Sequence, residues 1–206
     1  MGDLTRRTGG WTGPAGTALA VAGAVGLLAV TSVRPVSGYV SEAGEPGADH
    51  ALVYRLSILA VAAAVALLAA AVRPEAPLAA VPLAIAAPFA AVSGAVTCSP
   101  GCPLPPYERP TAADLVHAIG STVGLAWCGL AMLILALRAG DTALRRAGLV
   151  GTAVAVPLLA AAGASLVLAG RGTLTGVLER CALAATLAWL VAAGALVSRR
   201  GRARAP

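Results

Sequence analysis

Six long aliphatic stretches dominate this sequence, and each is long enough to cross the apolar core of a lipid bilayer as an α-helix. A bilayer core of about 30 Å takes roughly 20 helical residues. Arg, Pro or Gly bounds each stretch, and none has an Arg at its centre, where insertion would cost about 3 kcal/mol. The predicted transmembrane spans are residues 13–33, 56–72, 78–96, 118–137, 147–170 and 174–197.

The overall composition excludes an ordinary soluble domain. Hydrophobic residues make up 58% of the chain and charged residues only 12%, so too little polar surface remains to cover a globule. We therefore predict an all-α fold, a single polytopic membrane bundle of six transmembrane helices over residues 1–206 that ends in a basic cytoplasmic tail at residues 198–206. The lipid bilayer is the predicted partner.

The arginines predict the orientation of this bundle. All 15 basic residues are Arg, and ten of them lie on the cytoplasmic side if the N-terminus does; the other five are Arg34, Arg55, Arg109, Arg171 and Arg180. Because cytoplasmic loops carry the excess of positive charge, both termini are predicted to be cytoplasmic, in the plasma (inner) membrane. The competing interpretation of the first stretch, a cleaved signal peptide or a twin-arginine signal, is disfavoured because the apolar stretch is long for one. The arginines form no single basic face, so no nucleic-acid partner is predicted.

The third loop holds two cysteines in the segment Cys98-Ser99-Pro100-Gly101-Cys102. Pro-Gly favours a turn that brings the cysteines together, and the predicted topology places this loop in the oxidising compartment. We predict a disulfide between Cys98 and Cys102. Two free thiols are the alternative. A redox or metal role is disfavoured because the spacing is not that of a thioredoxin-type pair and no second ligand pair stands nearby.

Thr111 and Asp114 precede the fourth stretch in a capping-box pattern, and His117 lies three residues after Asp114 on the same helical face. One interpretation is a carboxylate-oriented histidine that acts as a metal ligand, a proton acceptor or an external pH sensor. In the other, which we favour, Asp114 caps the helix and His117 hydrogen-bonds to a neighbouring loop.

The first outer loop adds acidic residues and the second histidine of the chain. Folded over the third loop, it would join Glu42, Glu45, Asp49 and His50 to Asp114 and His117 in an acidic pocket for a divalent cation or a cationic ligand. An ordinary solvated loop is the favoured interpretation. The candidate metal ligands are therefore held only as candidates: Asp114, His117, His50, Glu42 and Glu45. No catalytic residue, cofactor-binding residue or cofactor is predicted.

The middle of the predicted membrane region carries hydroxyl and thiol groups but no acid, base or histidine, which disfavours a proton-coupled pump. Gly120 and Gly124 form a GxxxG pattern that predicts close helix packing, within the chain or between protomers. A homo-oligomer or another membrane-protein partner is therefore left open.

The segment Thr97-Cys98-Ser99-Pro100-Gly101-Cys102-Pro103, followed by Asp114-Leu115-Val116-His117, resembles the bacterial membrane family catalogued as domain of unknown function 998. The segments Ser41-Glu42-Ala43-Gly44 and Gly176-Val177-Leu178-Glu179-Arg180 are similar to the same family. The resemblance implies about six spans and brings no established activity, substrate or catalytic residue.

Three functions follow as hypotheses. The leading one is a non-enzymatic interaction or sensing component whose extracytoplasmic loops form a polar binding surface. The alternative is a transporter or channel for a small apolar or lipidic solute, which needs no charge at mid-membrane. The third is a metal-assisted membrane enzyme that uses the outer His/Asp cluster. The residues favour a protein that is not an enzyme.

Overall fold

Six α-helices follow one another in the computed structural model, which describes the backbone of residues 2–203 and the side chains of residues 11–201 and 203. Residues 2–203 contain no strand, and within residues 11–201 all six helices are long and apolar enough to cross a membrane. The predicted all-α, six-helix membrane fold is confirmed, and contact with the lipid bilayer follows from it. The helices are α1 Gly2–Ser32, α2 Ala51–Val72, α3 Pro77–Ala95, α4 Ala112–Arg138, α5 Thr142–Ala169 and α6 Thr173–Ala203.

Three helices begin about five residues before their predicted spans, because polar residues belong to their first two turns. In α2, the Arg55 guanidinium donates hydrogen bonds to the carbonyls of Gly94 and Ala95 at the end of α3, at 3.3 and 2.9 Å. α4 begins directly after Thr111, which is its N-cap as predicted. α5 starts behind Asp141, whose carboxylate accepts a hydrogen bond from the Leu144 amide at 2.8 Å. The apolar runs locate the membrane core, and capping side chains mark the starts of α4 and α5.

The helices form a closed ring in which each packs against the next along the chain and α6 packs against α1. Near the ring closure, the Thr17 and Ser198 hydroxyls lie 3.0 Å apart. The start of α1 and the end of α6 therefore share one end of the bundle, here called the terminal end, with the short loops 73–76 and 139–141. The opposite end, here called the disulfide end, carries the loops 33–50, 96–111 and 170–172.

The terminal half of the bundle is tightly packed. Its core holds Leu83, Met132, Leu135 and Leu144, each at most 1% exposed. Across the terminal end, Arg200 forms ion pairs with Glu75 of one loop and Asp141 of the other. α6 continues as helix into the predicted basic tail as far as Ala203, whereas residues 204–206 and the side chains of the predicted cytoplasmic arginines Arg6, Arg7, Arg202 and Arg204 lie outside the described residues.

The GxxxG pattern on α4 packs within the chain, against α3. A Cβ atom at Gly120 would lie 2.9 Å from the Phe89 carbonyl oxygen, and one at Gly124 would lie 3.3 Å from the Ala90 amide nitrogen. The two helices approach this closely because glycine presents no side chain to the neighbouring backbone.

Candidate functional site

The disulfide half of the ring encloses a cavity of about 650 Å³. Its walls come from α2, α4, α5 and α6, with a small contribution from α3, and they are mostly aliphatic, for example at Ile58, Leu125, Val156 and Leu183. Sites for small organic ligands in proteins are of this size and are likewise mainly apolar with a few placed polar groups.

The cavity opens sideways between α4 and α5. Among the described residues that line it, the exposed ones all lie on these two helices: Thr122, Ala126, Leu130, Leu133, Ala160 and Gly163. The other lining residues are buried or partly buried. Since both helices are apolar enough to span a membrane, the opening faces the region that lipid occupies.

The floor of the cavity is the packed core of the terminal half. Val65 of α2, Cys128 of α4 and Trp189 and Leu190 of α6 line the cavity and also belong to that core. The cavity therefore ends blindly towards the terminal end, and no continuous channel through the described residues follows from it.

Loop residues close the cavity at the disulfide end. Cys98 and Cys102 lie at disulfide-bonding distance with their Cα atoms 5.0 Å apart, and both line the cavity. Between them the chain reverses at Gly101, whose φ of +83° suits glycine, and the Cys102 amide donates to the Ser99 carbonyl at 2.8 Å. The Tyr39 side chain lies beside the pair, and burial raises the pKa of its phenol.

Asp114 joins the disulfide loop to the first turn of α4. Its carboxylate accepts hydrogen bonds from the amides of Ser99 and Thr111, at 2.6 and 2.7 Å, and from both of their hydroxyls. The Asp114 amide donates to the Thr111 hydroxyl at 3.3 Å, which completes the capping box. The carboxylate is thus saturated by the loop and the cap, and it makes no hydrogen bond to His117.

Arg171, in the loop between α5 and α6, connects the other two loops. Its guanidinium pairs with Glu42 at 3.1 Å and Glu108 at 3.8 Å, donates to the Gly101 carbonyl and lies 5.4 Å from the centre of the Tyr39 ring. These contacts reach the first and the third loops at once, so one side chain holds the roof of the cavity together.

Glu179 and Arg180 fasten the first loop to α6. The Val40 amide donates to the Glu179 carboxylate at 2.8 Å, and Arg180 donates to the carbonyls of Gly38 and Pro35 at 3.0 and 2.9 Å. Glu179 also lines the cavity. These contacts run to a loop about 140 residues earlier in the chain.

The side chain of His117 is buried, with 6% of the residue exposed. One ring nitrogen contacts the protein, and the other has no partner among the described residues. Nδ1 lies 2.9 Å from the Val96 carbonyl oxygen at the end of α3. A carbonyl only accepts, so Nδ1 carries a proton and donates to it. That buried Nε2 has no partner among the described residues, and His117 lines the cavity.

Two more buried polar atoms without a partner in the described chain belong to residues that line the cavity, near its floor. They are Oγ1 of Thr152 on α5 and Nε1 of Trp189 on α6. The Trp189 ring packs over Gly151, where an added Cβ would lie 3.1 Å from Nε1. An unsatisfied buried donor or acceptor costs about 1–3 kcal/mol.

The candidate ligands for a divalent cation are largely occupied by protein groups. Glu42 pairs with Arg171, Glu45 accepts from the Gly101 amide at 2.6 Å, and Asp114 is saturated. His50 is exposed at the start of α2. Among the described residues no group of three or more His, Cys, Asp or Glu side chains is placed to hold a metal ion.

A comparison with protein families matches residues 14–196 of the chain to the family described as a protein of unknown function, DUF998. The chain belongs to this family. The match covers all but the first and last stretches of the DUF998 chain, so the six-helix ring and its cavity lie almost entirely within the family region. Searches of curated proteins and of solved structures each returned no match.

Proposed function

We propose that this DUF998 protein binds a small apolar or lipidic molecule inside the membrane and takes it up through the opening between α4 and α5. The observation that carries the proposal is the cavity itself, which is about 650 Å³, mainly aliphatic, and exposed only along two membrane-spanning helices. A molecule dissolved in the bilayer reaches such a site without passing through water. The role is binding, for sensing or for transfer, rather than catalysis.

This proposal places the ligand in the bundle and gives the outer loops the role of a roof. The leading hypothesis from the sequence made the outer loops a polar binding surface, but the polar loop residues Glu42, Glu45 and Asp114 are engaged in holding the loops to one another. The cavity supports the hypothesis of a small apolar or lipidic solute. No group of metal ligands among the described residues supports the hypothesis of a metal-assisted enzyme.

Filling the opening is expected to abolish ligand retention. The test variant is Gly163→Phe with Ala126→Phe: both positions line the cavity and are exposed, and a Cβ at Gly163 would meet no atom within 4 Å. The protein is purified in mild detergent, and native mass spectrometry measures bound apolar molecules. The wild type is expected to carry such a molecule and the double variant to lose at least about nine-tenths of it, a difference of about 1.4 kcal/mol or more.

The matched control is Ala164→Phe with Ala184→Phe. These residues lie on α5 and α6, are exposed and do not line the cavity, so the control adds the same apolar surface elsewhere on the spans. It is expected to retain the molecule as the wild type does. Equal retention by all three proteins, or a wild type that carries nothing, would contradict the proposal.

We further propose that the terminal end faces the cytoplasm in the plasma membrane, with both chain ends on that side, as the ten-to-five distribution of arginines favours. In a Cys181→Ser background, Asp49→Cys at the disulfide end is expected to react with a membrane-impermeant maleimide on intact cells. Gly140→Cys at the terminal end is expected to react only after lysis. Both positions are exposed, so access is matched. The reverse pattern would invert the proposed orientation.

A further inference from the structure

We propose that the bound molecule is an amphiphilic amine, with a protonated amino group held by Glu179 and an aliphatic body in the cavity. The inference rests on the proposed function and specifies the ligand of that same cavity. It follows from a carboxylate that has no ion-pair partner in the described chain and from the hydroxyls of two nearby tyrosines, Tyr39 and Tyr54. All three residues line the cavity.

The Glu179 carboxylate uses one of its two oxygens to hold the first loop. Oε2 accepts from the Val40 amide at 2.8 Å, whereas Oε1 makes no hydrogen bond to any described residue. Thr152 Oγ1 and Trp189 Nε1 also lack partners but are fully enclosed, whereas Oε1 is not enclosed and keeps accessible surface. Since Glu179 lines the cavity, a donor bound there can reach this oxygen.

The negative charge of Glu179 has no ion pair within the described residues. Its chain neighbour Arg180 donates instead to the carbonyls of Gly38 and Pro35, and Arg171 is engaged by carboxylates of the roof. No Arg or Lys is among the described residues that line the cavity. A charge beside an apolar site is stabilised by a counter-ion, and a protonated amine supplies one.

Glu179 is the acid of the cavity wall that remains available to a ligand. Asp114 also lines the cavity, but the amides and hydroxyls of Ser99 and Thr111 already donate to its carboxylate. His117 lines the cavity as well, but its unpartnered Nε2 is fully enclosed. A carboxylate or phosphate headgroup would therefore meet the charge of Glu179 with no cation on the described cavity wall to offset it.

Two tyrosines add neutral acceptors near Glu179. Tyr39 and Tyr54 line the cavity and are 6% and 4% exposed. Neither hydroxyl has a hydrogen-bond partner in the described chain, and neither is fully enclosed. Both phenols lie within electrostatic reach of Glu179. An ammonium group carries three N–H donors, and one carboxylate oxygen and two phenolic oxygens are acceptors that match them.

The depth of the cavity fits an aliphatic body below this headgroup. Glu179 lies six residues into α6 from the disulfide end, and Trp189 at the floor lies ten residues further, which is about 15 Å along the helix. An extended dodecyl chain has about this length. The amine therefore stays near the membrane boundary, where a charge costs least, while the chain enters the aliphatic part of the cavity.

Competition binding with dodecyl compounds tests this assignment. The full chain in phosphatidylcholine nanodiscs is incubated at neutral pH with tritiated dodecylamine, which is protonated there as a lysine side chain is. Unlabelled dodecylamine, dodecanol and dodecanoate compete in a scintillation proximity assay, and empty nanodiscs correct for partition into the lipid. Dodecylamine is expected to bind about tenfold to a hundredfold more tightly than dodecanol, the gain from a hydrogen bond to a charged group. Dodecanoate is expected to bind more weakly than dodecanol.

Glu179→Gln removes the charge and keeps an oxygen that can accept from the Val40 amide, so the first loop stays attached to α6. It is expected to weaken dodecylamine binding about tenfold or more and to leave dodecanol within about threefold of the wild type. Tyr54→Phe keeps the ring, removes the hydroxyl and is expected to weaken dodecylamine about threefold to tenfold. It replaces Glu179→Gln if that protein does not fold.

The matched control for the loss of charge is Asp49→Asn. Asp49 is an exposed acid of the first loop, at the same end of the bundle, and it does not line the cavity. The control is expected to bind dodecylamine as the wild type does.

The outcomes separate this inference from the proposed function. Equal affinities of the wild type for dodecylamine and dodecanol, tighter binding of dodecanoate, or a dodecylamine affinity unchanged in both Glu179→Gln and Tyr54→Phe would overturn the amine assignment. A loss in Asp49→Asn as large as in Glu179→Gln would overturn it too. If binding is insensitive to the headgroup yet lost in Gly163→Phe with Ala126→Phe, the cavity still binds lipid and only the assignment fails. If no dodecyl compound binds and the purified protein carries no apolar molecule, the proposed function fails as well.

Discussion

Asp114→Ala is expected to lower the free energy of unfolding by about 3 kcal/mol or more. Asp114 is 1% exposed, and its carboxylate accepts hydrogen bonds from the backbone amides of Ser99 and Thr111. Bonds to a charged group are worth about 1.5–3 kcal/mol each, and alanine leaves both amides unsatisfied. Thermal unfolding in detergent, monitored by loss of the monodisperse peak, measures the change.

Two controls separate the network from the charge. Asp114→Asn keeps the shape and can still accept hydrogen bonds, so it is expected to cost about half as much as alanine. Asp49→Ala, at an exposed position of the first loop, is expected to stay within about 0.5 kcal/mol of the wild type. An Asp114→Ala protein as stable as the Asp49→Ala protein would show that the disulfide loop does not depend on this carboxylate.

The local features of this region could be predicted from the sequence because each depends on neighbours in the chain. The Thr111–Asp114 capping box is a four-residue pattern, and the turn between Cys98 and Cys102 is set by Pro100 and Gly101. The favoured interpretation of His117, a hydrogen bond to a neighbouring segment, agrees with its contact to Val96. The six spans follow from the length of the apolar runs alone.

The cavity could not be predicted in this way, because it arises from how the ring closes. The closing contact joins Thr17 to Ser198, and no periodicity within either helix indicates that the two helices meet. Likewise, the sequence gives no signal that Arg171 bonds to two other loops or that Trp189 and Thr152 line one cavity. A tryptophan in an apolar run looks like an ordinary interfacial or core residue until its Nε1 is found buried without a partner.

Tight packing in the terminal half and open space in the disulfide half are two sides of one arrangement. α5 is close to α4 where Gly148 meets Met132 and Ala136, and further along the same helix Gly163 meets no atom that would contact a Cβ. α4 and α5 are thus in close contact in the terminal half and separated in the disulfide half. This arrangement keeps the lateral opening while the core of the terminal half stays packed.

This contrast predicts that a glycine-to-alanine substitution has different effects on stability at two positions of α5, Gly148 and Gly163. Gly148→Ala is expected to lower the free energy of unfolding by about 2–3 kcal/mol, because the new Cβ would lie 2.5 Å from the Ala136 amide nitrogen and 2.8 Å from the Met132 carbonyl oxygen. Both are backbone atoms, so the two helices must move apart. Gly163→Ala has the same gain in helix propensity and meets no obstruction, so it is expected to be neutral or to stabilise the protein by up to about 1 kcal/mol. Thermal unfolding of the two variants in one detergent compares them directly, and equal stability would mean that α4 and α5 are not clamped at Gly148.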